Sequence, residues 1–174
     1  GFSAGAVHSP ADRAAESVAR GGVLGQAINL TRELVNRGAM EVYPETFADR
    51  AAAAATEFGL ECDVLDENRL AEERMGSLLA VARGSVRPPR VVVLKHNGAG
   101  EGAPALAIVG KGVTFDTGGI SLKPPGGMED MKYDMGGSGV VIGLMKALAG
   151  RKAKVDAVGV VALAENMPGA NAQR

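Results

Sequence analysis

Three short apolar runs rich in β-branched residues, Val91–Leu94, Ala105–Val109 and Val155–Ala162, set the limits on what this chain can fold into. Each is too short for an ordinary helix and too continuous for a strand with one wet face, so each reads as a strand buried on both faces. Leu60–Leu65 reads as a fourth strand. The stretches between carry helical patterns. In the N-terminal third, Pro10 and Asp12 give a start signal. Ala14, Val18, Ala27, Ile28, Leu34 and Val35 then recur at spacings that keep one face apolar. Gly21 and Gly22 interrupt this pattern, which predicts either two helices or one with a kink, and Arg37-Gly38 is a stop. A further helix runs from Pro44 or Thr46 to Phe58, ended by Gly59. Short helices follow at Asp66–Met75 and Gly76–Arg83, and a longer one from Met135 to Ala149. Strands alternating with helices predict an α/β fold, with helices layered around a mostly parallel or mixed central sheet.

The core of such layers has to be built nearly without rings, because aromatics make up 3% of the 174 residues while glycine contributes 25. Ala, Val, Leu and Ile must fill it, with glycine where backbones come close. The length suits one domain. A net charge of −1 argues against a broad electrostatic grip on nucleic acid or on an acidic membrane surface. No apolar run approaches the roughly 20 residues needed to cross a bilayer. The single cysteine, Cys62, has no internal partner, which fits a reducing, cytoplasmic setting, and it reads as a half-buried strand residue. Gly1–Pro10 lacks the basic and apolar regions of a signal peptide, and a first residue other than Met reads as a piece of a longer protein.

Chemistry concentrates between Val109 and Gly137. A strand runs into Lys111, and in open α/β sheets ligands bind at the carboxyl ends of strands. Gly110, Gly112, Gly118 and Gly119 let groups approach closely. Asp116 and Asp134, on separate segments, are hard oxygen donors suited to Mg, Mn or Zn. A lysine joins such a set only as the neutral amine, which requires a depressed pKa. Lys123, seven residues after Asp116, could steady an oxyanion as a cation. The same residue types also have plainer uses: Asp in a Gly-rich loop forms Asx turns, and a lysine after a strand is commonly solvated. Met128, Met131 and Met135 recur at spacings that suit core filling as well as a pocket. Other motifs fail. Gly110-Lys111-Gly112 lacks the Ser or Thr of a phosphate-binding loop, and Ser138 is not in a G-x-S-x-G elbow. His8 and His96 have no His or Cys partner at zinc spacing, and His96 reads as polar filling or exposed.

Four segments carry a resemblance: Val109–Gly119, Ser121-Leu122-Lys123-Pro124, Met131-Lys132-Tyr133-Asp134-Met135-Gly136-Gly137 and Glu165-Asn166-Met167-Pro168-Gly169. They are similar to the leucyl (cytosol) aminopeptidases, and Thr31–Asn36 resembles the helix that opens that family's catalytic domain. The resemblance implies two divalent metal ions, Zn or Mn with Mg as a further option. It makes Lys111 a ligand through its neutral amine, Asp116 a bridge between the ions and Asp134 a further ligand. Lys123 would bind the substrate carbonyl and its oxyanion, and Met131 would line the pocket for the first side chain. A metal-held hydroxide would attack peptides with a free N-terminus, leucine-like residues preferred. The parent protein is implied to be a homo-oligomer, a hexamer. The family's Asn-Thr-Asp-Ala-Glu-Gly-Arg stretch and its separate N-terminal domain have no counterpart in the sequence, so residues 1–174 read as a single partial catalytic domain. Three donor side chains are too few to fix two ions, so the chain alone is expected to be inactive. Two rivals remain: a non-catalytic binding or scaffolding module that kept the fold, and a phosphoryl-transfer enzyme, which the absence of a phosphate-cradling loop disfavours.

Overall fold

A computed structural model describes residues 11–100 and 102–172. Helix α1 (Ala11–Asn36) leads to α2 (Pro44–Phe58), β1 (Glu61–Leu65), the short helices α3 (Glu67–Glu72) and α4 (Gly76–Ala82), β2 (Arg90–Asn97) and β3 (Ala105–Asp116). A 3-10 segment (Met128–Tyr133), α5 (Gly136–Gly150) and β4 (Asp156–Asn166) follow. The local causes are visible. Pro44 opens α2 with its φ already set. The Tyr43 N–H, otherwise orphaned, donates to Thr46 Oγ1 at 3.0 Å. Asp66 caps α3 by accepting from the N–H groups of Asn68 and Arg69. Pro10, the expected start signal of α1, lies outside the described residues.

The strands form one mixed sheet in the order β1-β2-β4-β3. Only β3 and β4 run parallel, and the other two pairings are antiparallel, so the mixed form of the expectation holds and the largely parallel one does not. On one face, Phe47, Ala51 and Ala55 of α2 and Val141, Ile142 and Met145 of α5 meet Val92, Leu94, Val161 and Leu163 of the sheet. Leu34 of α1 joins this core. On the other face Leu65, Leu70 and Val91 pack with Leu78, Leu79, Val160 and Ala162. The result is a helix–sheet–helix sandwich with an aliphatic core.

Several expectations need correction. α1 is unbroken through Gly21 and Gly22, since a cost of about 1 kcal/mol per helical glycine is small enough for the flanking turns to absorb. Val18 and Ile28 are exposed, because α1 contacts α5 along its other side, where Ala27, Thr31 and Val35 lie against Gly139 and Gly143. Cys62 is exposed on an edge strand rather than half-buried. Ala105–Val109 is a strand but not a buried one: β3 is the other edge, and Leu106 and Val109 are 57% and 75% exposed. An apolar β-branched run signals a strand, whereas the number of neighbours is fixed by pairing with β4, fifty residues away in register. His96 is half-buried polar filling, its Nε2 2.9 Å from the Ala153 carbonyl oxygen.

One close approach fixes where the N-terminus of α5 sits. A Cβ placed on Gly110 would lie 2.7–2.8 Å from backbone atoms of Gly137 and Ser138, and Ser138 Oγ donates to the Gly110 carbonyl at 3.1 Å. Gly110→Ala therefore forces β3 and α5 apart. A loss of about 1–3 kcal/mol is expected, the usual cost of overpacking, read as a lowered urea midpoint at constant slope.

Candidate functional site at the end of the third strand

β3 does not stop before Lys111 but continues to Asp116. Within it the register on β4 slips: Val113 faces Ala164 and Phe115 faces Glu165, leaving Thr114 as an extra residue. This matters because side chains alternate along a strand. Asp116 lies five positions after Lys111, an odd spacing that would put them on opposite faces. The bulge sets the six residues from Lys111 to Asp116 against the five of β4 from Ala162 to Asn166, so both project from the same side.

Around them the chain forms a closed circuit. Lys111 Nζ donates to Asp134 Oδ1 at 2.6 Å. The Asp134 N–H donates to the Met131 carbonyl at 3.2 Å. Lys123 Nζ lies 3.0 Å from Met131 Sδ and donates to Asp116 Oδ2 at 2.9 Å. Each carboxylate is thus held by its own lysine, and all five residues singled out in the sequence fall into one connected group. Asp116 is also an Asx-turn former: its Oδ1 accepts the Gly118 N–H at 2.9 Å. A sixth residue, absent from the sequence-based set, completes the arrangement. Asn166, at the end of β4, donates from Nδ2 to the same Asp116 Oδ1 at 2.7 Å. Its family match in the Glu165–Gly169 segment was the available signal, but an asparagine gives no hint of its partner until β4 is paired with β3.

Burial alone would push the Asp116 carboxyl upward. The Lys123, Gly118 and Asn166 hydrogen bonds and the Lys123 charge outweigh it and hold the group below the ordinary carboxylate value. Asp116 is therefore ionised at neutral pH. The Lys111 side chain is 62% exposed and engaged in the ion pair with Asp134. A lysine coordinates a metal only as the neutral amine.

The donor set suits a cation in one specific respect. Asp134 Oδ2 is buried with no hydrogen-bond partner, and a buried carboxylate oxygen left in that state calls for a missing partner such as a metal ion. Two carboxylates and an amine are donors that a divalent ion accepts. Among the described residues no three His, Cys, Asp or Glu side chains are grouped so that they could hold a metal ion by themselves, so the lysine amine would have to complete the set. The methionines divide. Met135 and Met145 are core, while Met128 and Met131 border a separate apolar cluster of Ala39, Phe115 and Met167. Beside that cluster lies an open cavity of about 560 Å³ lined by Phe115, Leu122, Met128 and Met167 among others.

Geometry of this kind defines a carboxylate–amine site at a strand end in an α/β layer fold. Comparison with known proteins supplies the rest. Residues 29–174 match the cytosol aminopeptidase family, catalytic domain. The chain is 55% identical over 150 residues to the probable cytosol aminopeptidase of Wolbachia pipientis wMel, covering 86% of this chain and 30% of that protein. It is 55% identical over 157 residues to that of Allorhizobium ampelinum, covering 90% and 31%. Among solved structures, the bottromycin maturation enzyme BotP in complex with Mn superposes with a TM-score of 0.83 at 40% identity, over 95% of this chain and 35% of that one. The cytosol aminopeptidase from Coxiella burnetii gives 0.82 at 32% identity, over 91% and 34%. The chain belongs to the cytosol aminopeptidase family, and it spans about a third of the length of the relatives it matches. No helix among the described residues is long and apolar enough to cross a membrane.

Proposed function

We propose that this chain contributes the Lys111–Asp134 half of the active site of a dinuclear metal aminopeptidase, which releases N-terminal residues, leucine-like ones preferred, from peptides with a free N-terminus. The observation that carries the reading is the pair of interlocked ion pairs, Lys111–Asp134 and Lys123–Asp116, around the donor-less Asp134 Oδ2. Asp116, Asp134 and, once deprotonated, Lys111 would hold a divalent ion, Zn or Mn. Bound there, the ion would supply Lewis acidity toward the peptide carbonyl.

The chain's own groups do the rest. Lys123 would meet the carbonyl oxygen as it gains negative charge, where a fixed donor is worth most. Asp116 and the Met131 thioether aim Lys123 from two directions. Met131 borders the same place and would touch the first side chain of the substrate. The rest of the family's ligands, and the assembly into a hexamer in the cytoplasm, belong to the remainder of the parent protein.

Leucine p-nitroanilide with added Mn²⁺ or Zn²⁺ tests this. The pure 174-residue chain is expected to give background hydrolysis only, since three donors do not fix two ions, whereas a complete protein carrying the chain turns the substrate over. Metal-dependent turnover by the chain alone, abolished in Asp116→Ala, would contradict the inactivity. A complete protein inert with either metal would remove the peptidase reading.

A further inference from the structure

We infer that Asn166 is a positioning residue: its side-chain amide fixes the Asp116 carboxylate so that Oδ2, and not Oδ1, is presented to the cation. The inference rests on the proposed reading of Asp116 as a metal ligand and extends it to a residue that touches neither metal nor substrate.

Three observations converge. First, Oδ1 of Asp116 is saturated by the chain itself, accepting Asn166 Nδ2 at 2.7 Å and the Gly118 N–H at 2.9 Å, while Oδ2 accepts from Lys123 Nζ, at the end of a long side chain. Two protein donors on one oxygen leave the other as the exchangeable face. Second, the backbone that carries the amide is fixed. The Asn166 main-chain carbonyl accepts both the Thr117 N–H at 2.9 Å and Thr117 Oγ1 at 2.8 Å, and Asp116 faces Asn166 directly in the β3–β4 register. Third, the loop is shaped around that amide. Gly119 has φ +67°, which favours glycine, and a Cβ there would lie 2.6 Å from Asn166 Oδ1 and displace the amide. An aspartate at 166 would oppose Asp116 with like charge; an amide alone supplies a donor without adding charge. Partners that orient ligating carboxylates commonly change metal affinity by about 10–100-fold when removed.

The test is Mn²⁺ binding to the 174-residue chain, followed by the electron paramagnetic resonance signal of free Mn²⁺, which reads weak affinities and needs no turnover. Asn166→Leu, near in volume but without a donor, is expected to weaken binding by about tenfold or more. Asn166→Gln, which keeps the amide, is expected to recover part of the loss. A merely structural role would lower the thermal midpoint of both variants without separating their Mn²⁺ affinities. Asn166→Leu binding Mn²⁺ as tightly as the unaltered chain overturns the inference. If instead the unaltered chain and Asp116→Asn take up Mn²⁺ equally, or neither does, the failure lies in the reading of Asp116 itself.

Discussion

Arg87→Met is expected to destabilise the chain by about 3–5 kcal/mol, the usual penalty for removing one member of a buried ion pair. Glu165, on β4, has no exposed side-chain surface, and Arg87 covers it at 2.9 Å. Ser85 Oγ donates to the second carboxylate oxygen at 2.5 Å. The guanidinium also donates to the Ala39 carbonyl and lies over the Tyr43 ring, 4.0 Å from its centre. One side chain therefore ties the α1–α2 connection to the end of β4. Exposed pairs such as Arg37–Glu33 are screened by water and salt and contribute far less, so the contrast between the two is itself a check. Total stabilities of about 5–15 kcal/mol make the Arg87 loss visible as a large drop in the urea midpoint. The pair, not the arginine alone, sets the cost. Arg87→Met combined with Glu165→Leu is expected to recover much of it, because the buried carboxylate is gone as well. A single variant within about 1 kcal/mol of the parent would mean that the other contacts of Glu165 hold its carboxylate without Arg87. The effect reaches the site, because Glu165 immediately precedes Asn166, and a loosened β4 end frees the amide that holds Asp116.

How far the sequence revealed these features depended on whether their cause was local. α2 was legible to within two residues at its start and to the residue at its end, since Pro44 and Gly59 act on their own backbone. The strands were legible as strands. Their neighbours were not, because nothing within Ala105–Val109 says that it pairs on one side only. The continuation of β3 through Gly110-Lys111-Gly112 was hidden for a related reason. Those glycines mark a turn in isolation, but here they make room for the backbone of α5 and for Ala162 and Leu163 of β4. At the site, Lys111, Asp116, Lys123, Met131 and Asp134 could be named from residue type and family pattern. What could not be read was how Lys111 and Asp116, five apart on one strand, come to face the same way. That depends on Thr114 being left over in a register set by β4. Asn166 escaped for the same reason, as its role exists only across that pairing.

Asp116→Asn is the substitution with the largest expected effect on activity. In a complete protein that carries this chain, metal-dependent hydrolysis of leucine p-nitroanilide is expected to fall by on the order of 1,000-fold or more. Loss of a properly held ion removes several kcal/mol of charge stabilisation, and each 1.36 kcal/mol is about tenfold in rate. The change is chosen to spare the fold. Asparagine keeps the shape and one oxygen, which still accepts the Gly118 and Asn166 donors at Oδ1. What it loses is the ionised oxygen beside Lys123, whose side chain is 36% exposed, so screening keeps the stability change within about 1 kcal/mol. Lys123→Met separates the roles. It removes the amine proposed to meet the carbonyl oxygen while leaving both carboxylates, so turnover is expected to collapse with Mn²⁺ still bound. Asp116→Asn should lose both together. Equal retention of Mn²⁺ by the two variants would show that Asp116 serves as the anchor of Lys123 and not as a ligand, and the bulge at Thr114 would then exist to aim a lysine rather than to gather a metal site.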